Sequence, residues 1–170
     1  MKRTTTLFCG LALLWLLGGC AHYGLGTDGK LTFQTLYVEP IANKTVLPQA
    51  HAVVSSALRE EFLRNGRVTL VNSAAEADAT VSVTLVDYHR EVATVRPGDT
   101  GLARAFALTL GAAVTLKDNR TGKILFEKRP VKTVRDAYTD GGQLQAEYQT
   151  LPLLAETLGR QVAHTVLDVW

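Results

Sequence analysis

The chain has 170 residues, 46% of them hydrophobic and 20% charged, with two cysteines and a formal net charge of +2. That length supports one domain with a substantial core. Two cysteines exclude a disulfide scaffold, and a nearly neutral balance gives no reason to expect a nucleic-acid partner.

Lys2 and Arg3 form a short positive start, Leu7–Leu17 is an almost unbroken apolar run, and Leu17-Gly18-Gly19-Cys20 closes it. This is the layout of an export signal, and the run is too short for a membrane span, which needs about 20 apolar residues. The closing tetrapeptide looks like a bacterial lipobox. Cys20 is then the acylated residue and the first of the mature chain, with residues 1–19 removed as signal peptide. Ala21 is not the aspartate associated with inner-membrane retention, so the expected address is the outer membrane. Two or more acyl chains hold a protein stably where one would be marginal. Cys9 leaves with the signal and Cys20 carries lipid, so packing alone must stabilise the fold.

Residues 20–30 are the lipidated cysteine and a Gly-rich polar tether, and 31–170 form a single domain. Leu31–Glu39 reads as a strand stopped by Pro40, and Ile41–Thr45 as a loop. Leu47–Asn65 has helical periodicity: Val54, Leu58 and Phe62 recur at four-residue spacing, and Ala50, Val53 and Ala57 widen the stripe. Asn65-Gly66 is a C-terminal stop. Val68–Val71 is a short strand and Asn72–Ala77 a connector.

From Asp78 the period changes to two. Ala79, Val81, Val83 and Leu85 take one face and Thr80, Ser82 and Thr84 the other, in a strand continuing toward Val95. Arg96-Pro97-Gly98-Asp99 is a turn. Ala103–Lys117 returns with Phe106, Leu108, Leu110, Ala112, Val114 and Leu116 on one face. Its other face is small: Ala105, Ala107, Thr109, Gly111, Ala113 and Thr115. Residues 118–123 join a hairpin, Ile124–Arg135 is the last strand, and Asp136–Gln143 a polar loop. The final helix ends near Trp170, and Pro152 suggests a regular start near Leu151.

The order β-α-β-β-β-β-α with two amphipathic helices predicts an α+β two-layer sandwich. A mostly antiparallel sheet of four to five strands would carry both helices on one face. The other face, rich in Thr, Ser and Ala, is flat enough to lie against another protein.

Catalytic spacing is missing. His22, His51, His89 and His164 show no H-x-x-H or H-E-x-x-H pattern, the serines lack a G-x-S-x-G context, and Gly122-Lys123 lacks the rest of a P-loop. No enzyme, cofactor or metal is expected. His89-Arg90-Glu91, at a strand end, reads as solvent contacts.

Charge is uneven instead. Asp87–Arg135 holds ten basic against five acidic residues, while the rest of the mature chain is acidic in excess. Arg120, Lys123, Lys128, Arg129, Lys132 and Arg135 run along the last hairpin. Unbroken alternation would place Lys128 and Lys132 with Phe126, and Arg129 and Arg135 with Val131. Charge on both faces fits either a protected edge strand or a contact with phosphates or acidic side chains. Arg96, at a turn tip, could grip a phosphate bidentately.

Several stretches together resemble one family, the lipopolysaccharide-assembly lipoprotein LptE. They are Cys20-Ala21-His22-Tyr23-Gly24, the strand and exit from Leu36 to Thr45, Ala57–Phe62, Ala77-Asp78-Ala79, Thr115–Asp118 with Thr121-Gly122-Lys123, and the C-terminal helix. The resemblance implies an outer-membrane lipoprotein on the periplasmic face. It would form a plug in a β-barrel partner, LptD, assist lipopolysaccharide transport and insertion into the outer leaflet, and bind lipopolysaccharide through basic residues. Arg96 occupies the matching turn, and Lys128, Arg129 and Lys132 are the further candidates. A second basic residue of the family lies between the last strand and the final helix, but Asp136–Gln149 contains no Lys or Arg. Lipoproteins that activate peptidoglycan synthases share the first-strand pattern and supply the alternative reading.

Overall fold

A computed structural model of the protein describes residues 31–96, 99–139 and 142–168. The elements are β1 (Thr35–Val38), β2 (Ala42–Asn43), α1 (Ala50–Asn65), β3 (Thr69–Val71), a 3-10 turn (Ala74–Glu76), β4 (Ala79–Arg96), β5 (Asp99–Asp118), β6 (Ile124–Tyr138) and α2 (Gln143–Leu167). The signal peptide, Cys20 and the tether lie outside the described residues.

Six strands form one mixed sheet in the order β3-β1-β4-β5-β6, with β2 also pairing β4. β1 runs parallel to β3 and β4, and β2 parallel to β4. Long antiparallel ladders join β4 to β5 and β5 to β6. α1 is the crossover that parallel β1 and β3 require. Ile41–Thr45, expected to be a loop, contains the sixth strand. Ala42 and Asn43 pair with Thr84 and Leu85 of β4, a contact too short to leave a periodic signal.

α1 forms because Ala50, Val54, Leu58 and Phe62 fall on one stripe, and all four are fully buried. Burying side chains of the size of Val, Leu and Phe contributes roughly 1.5–3 kcal/mol each. The helix ends where Gly66 adopts φ 69° and donates its N–H to the Phe62 carbonyl at 3.2 Å. α2 lays Leu151, Leu154, Ala155, Leu158, Val162 and Val166 on the same core. It starts at Gln143, not near Leu151, and Pro152 sits inside it. Ala146, Thr150 and Leu151 are buried around the proline, so packing holds the helix through the missing N–H.

The apolar face of β5 is as expected: Leu108, Leu110, Ala112, Val114 and Leu116 are buried against the helices. Several register shifts interrupt the alternation in its neighbours, and two of them decide which side chains face the helices. In β4, Leu85 pairs with Ala112 and Asp87 with Gly111, so Val86 is extra and half exposed. In β6, Phe126 pairs with Leu116 and Arg129 with Val114, so Glu127 and Lys128 together oppose the single residue Thr115. Lys128 takes φ 48° within that bulge. The expected grouping holds only in part: Arg129 and Arg135 do share a face with Val131, but Phe126 joins Val131, Thr133 and Ala137 on the core face, and Lys132 lies on the opposite one.

The end of the sheet nearest Leu31 is closed by polar side chains. Asp78 Oδ2 accepts the N–H groups of Gln34 (2.9 Å) and Thr35 (3.0 Å), while Thr35 Oγ1 accepts the Asp78 N–H at 2.8 Å. Asn119 Nδ2 donates toward the Ala74 and Ala77 carbonyls and Thr80 Oγ1 at 3.1, 3.0 and 2.8 Å. Arg120 hydrogen-bonds the Thr32 carbonyl and approaches Asp78 and Asp118. The backbone N–H groups of Gln34 and Thr35 hold the Asp78 carboxyl below its ordinary range. Those of Thr121 and Arg120, against the opposing effect of burial, do the same for Asp118.

Candidate interaction surface

On β5 the sheet face away from the helices is built from short side chains, while β4 beside it adds longer ones. On β5 it carries Ala107, Thr109, Gly111, Ala113 and Thr115, and across the ladder on β4 Glu91, His89, Asp87, Thr84 and Ser82. Gly111 has a specific cause: a Cβ there would lie 3.0 Å from the Asp87 Cβ. Thr80 and Thr109 are almost covered by their neighbours, so a second surface could approach the backbone closely across the centre of the sheet. Asp87 Oδ1 meets His89 Nδ1 at 2.9 Å and Glu91 lies 3.8 Å from Nε2, all three partly or largely exposed. These are the solvent contacts expected of His89 and Glu91. Arg90 departs from them.

The β4 bulge turns Tyr88 and Arg90 to the helix side. Tyr88 Oη donates to Glu147 Oε2 at 3.1 Å, Arg90 Nη1 donates to Glu147 Oε1 at 2.6 Å, and Gln143 Nε2 donates to the same oxygen at 3.1 Å. Burial and the adjacent Glu147 charge push the Tyr88 hydroxyl up to about 12. Burial works to raise Glu147, yet its hydrogen bonds from Arg90, Gln143 and Tyr88 leave it below its ordinary value. The clamp fixes the middle of β4 to the N-terminal part of α2. No residue spacing marks it in the sequence, because the bulge decides which face Tyr88 occupies.

The basic residues of β6 are not one patch. Arg120 belongs to the polar clip, Arg135 donates to Thr157 Oγ1 of α2 at 3.1 Å, and Arg129 stacks over the Phe126 ring at 4.2 Å. Lys128 donates its backbone N–H to Thr115 Oγ1 at 3.0 Å, and its ammonium lies 3.2 Å from Glu127. Lys132 is exposed on the outer face, opposite Gly111.

Arg96 is the last residue of β4 and pairs with Asp99. Lys132 pairs with Gly111, twelve residues further along β5, which is about 40 Å of strand. The ladder therefore separates Arg96 from Lys128, Arg129 and Lys132. Cys20 falls outside the described residues. No helix among the described residues is long and apolar enough to cross a membrane.

The family model described as LptE, lipopolysaccharide-assembly, matches residues 33–166, which takes in every strand, α1 and all but the last residue of α2. No curated protein matches the chain. Among solved structures, a protein from Xanthomonas campestris superposes with a TM-score of 0.61 at 10% identity, covering 82% of this chain and 86% of that one. A hypothetical protein from Chlamydia trachomatis gives a TM-score of 0.56 at 9% identity, covering 80% and 96%. A minor lipoprotein from Acinetobacter baumannii gives 0.54 at 18% identity, covering 81% and 94%. At these identities the likeness is one of fold.

Proposed function

The chain belongs to the LptE family of lipopolysaccharide-assembly proteins, and on that premise we propose that it is an outer-membrane lipoprotein anchored through Cys20 at the periplasmic face. It seats as a plug in an LptD-like β-barrel and assists lipopolysaccharide insertion into the outer leaflet. It works by binding, not by catalysis.

The observation that carries this reading is the extent of the family match, which runs through the whole α+β domain. The outer sheet face adds a physical reason. Gly111, Ala107 and Ala113 let an apposed wall approach the strands closely, and a stable interface of this kind needs well over about 1,000 Å² of buried surface. The peptidoglycan-synthase alternative draws no support from the match.

The test is extraction of the full lipidated chain from outer membranes in mild detergent, followed by identification of what accompanies it. A stoichiometric β-barrel partner supports the proposal. Recovery of the protein without a barrel, or with a peptidoglycan synthase, overturns it. Cys20→Ala tests the anchor separately: the variant should accumulate as an unprocessed precursor.

Direct binding of lipopolysaccharide is part of the same proposal. Anionic phosphates suit Arg96 or the β6 group of Lys128, Arg129 and Lys132, and a guanidinium–phosphate bond contributes about 1.5–3 kcal/mol when desolvated. The length of strand between them makes these two contact zones, to be tested apart.

A further inference from the structure

α2 is one helix with two unequal parts. Beyond Pro152, Leu154, Ala155, Leu158, Val162 and Val166 are fully buried, and Gly159 meets the α1 backbone. Before the proline, Gln143–Leu151 buries Ala146, Thr150 and Leu151 but leaves Leu144 69% and Tyr148 54% exposed. A helical piece this short does not stand alone in water. Its start has no side-chain cap and no acidic residue in the first turn, and Gly142 before it adopts φ 100°.

The junction between the two parts is weakened as well. Pro152 has no N–H for the Tyr148 carbonyl, so one helical bond is missing where they meet. Thr150 Oγ1 donates back to the Ala146 carbonyl at 2.7 Å, a local bond of the kind that bends helices. The first part is not sealed against α1 either. A cleft of about 60 Å³ opens there, lined by Leu47, Gln49, Leu144, Glu147, Tyr148 and Leu151. The polar ties from this part to the other elements centre on Glu147. It accepts from Tyr88 at 3.1 Å and from Arg90 at 2.6 Å, while Gln49 reaches Tyr148 Oη at 3.4 Å.

We infer that Gln143–Leu151 is a flap that opens about Pro152 while the rest of α2 stays packed, with Glu147 as its latch. Opening breaks the bonds to Tyr88 and Arg90 and uncovers Ala146, Leu151 and the Leu47 wall of the cleft. The released Arg90 keeps a second contact, since its guanidinium lies 5.9 Å from the centre of the Phe106 ring. One carboxylate thus governs access to an apolar strip beside α1. Few buried side chains and few outside bonds place the flap at the low end of local opening energies, and the Leu154–Val166 packing at the high end. The flap is a property of the domain alone, independent of any barrel.

Hydrogen exchange of the full lipidated chain in mild detergent tests this. Amides of Tyr148–Leu151 should exchange at least about tenfold faster than those of Leu154 and Leu158. Their exchange should also depend less on denaturant, because a flap exposes less surface than the whole domain. Glu147→Gln should speed exchange at Tyr148–Leu151 several-fold. Pro152→Ala supplies the missing N–H and should slow it several-fold. Val162→Ala weakens packing that the open flap leaves intact. It should speed exchange at Leu154 and Leu158 by about tenfold or more and leave Tyr148–Leu151 unchanged. Equal acceleration of both sets by Val162→Ala shows that α2 opens in one piece and overturns the inference. So does Glu147→Gln without effect at Tyr148–Leu151, which removes the latch, or Pro152→Ala without effect there, which removes the hinge.

Discussion

Tyr88 of β4 donates its phenolic hydrogen to Glu147 of α2 at 3.1 Å, and this bond exists because one extra residue, Val86, turns the strand over. Without that bulge Tyr88 would face away from the helices. With it, a strand that projects toward Arg96 is tied to the helix start by one carboxylate and two β4 side chains.

Glu147→Gln should therefore lower stability at neutral pH, and the loss should depend on pH in a known direction. Glu147 has a depressed folded pKa, so its contribution is present above the unfolded carboxylate value and lost as pH falls through the folded one. Melting curves of wild type and Glu147→Gln should differ at pH 7 and converge in acid. Tyr88 has the opposite sign. Its contribution is present below the unfolded tyrosine value of about 10 and lost as pH rises through about 12. Ultraviolet titration should show one late tyrosine that Tyr88→Phe removes; a late tyrosine remaining in Tyr88→Phe would contradict the assignment.

The helix crossing supplies a second prediction. A Cβ on Gly159 of α2 would sit 3.2 Å from the Ala57 carbonyl carbon and the Leu58 nitrogen of α1. Those are backbone atoms and cannot swing aside. Gly159→Leu should cost at least about 1–3 kcal/mol through overpacking, despite the better helix propensity of leucine. A denaturant midpoint unchanged from wild type would show that the helices part freely at this point.

The polar clip gives a third. Asn119→Ala removes the amide shared among the Ala74 and Ala77 carbonyls and Thr80 Oγ1. The expected cost is about 1–2 kcal/mol, or a melting decrease of several degrees in a domain of this size. Hydrogen exchange should rise first at Ala77–Val81 and around Asn119. Acid should weaken the same end, because Asp78 has a folded pKa below its ordinary value and loses its contribution as pH falls through it.

The parts legible in the sequence are those that repeat long enough to show a period. α1 declares itself through Val54, Leu58 and Phe62, and β5 through Leu108 to Leu116. β2 does not, because two paired residues have no period and their partners on β4 are distant in sequence. The start of α2 is hidden, since a proline is normally read as a boundary, although here Thr150 and Leu151 just before it are packed into the core. The bulges at Val86 and Lys128 carry no composition signal, yet each inverts every side chain that follows until the next irregularity. Hence the charge of β6 was visible while its faces were not, and the Tyr88–Glu147 clamp was invisible altogether.

The separation of Arg96 from the β6 cations makes the lipopolysaccharide reading divisible. Arg96→Asp changes only the tip of the β4–β5 hairpin, and Lys128→Asp with Arg129→Asp changes only the edge of β6. Both should leave the core intact, because Lys128 and Arg129 are exposed and Arg96 ends its strand. If the turn is the phosphate contact, Arg96→Asp should weaken binding of purified lipopolysaccharide by about tenfold or more, as for loss of one charge-assisted hydrogen bond. The β6 double variant should then have a smaller effect that fades with salt, as expected of charges acting through solvent. Reversal of Arg64, on the polar side of α1 and paired with Glu61 at 2.9 Å, is the control for bulk charge. Equal weakening by all three variants would leave Arg96 without a special role, and binding unchanged in every variant would place the contact elsewhere.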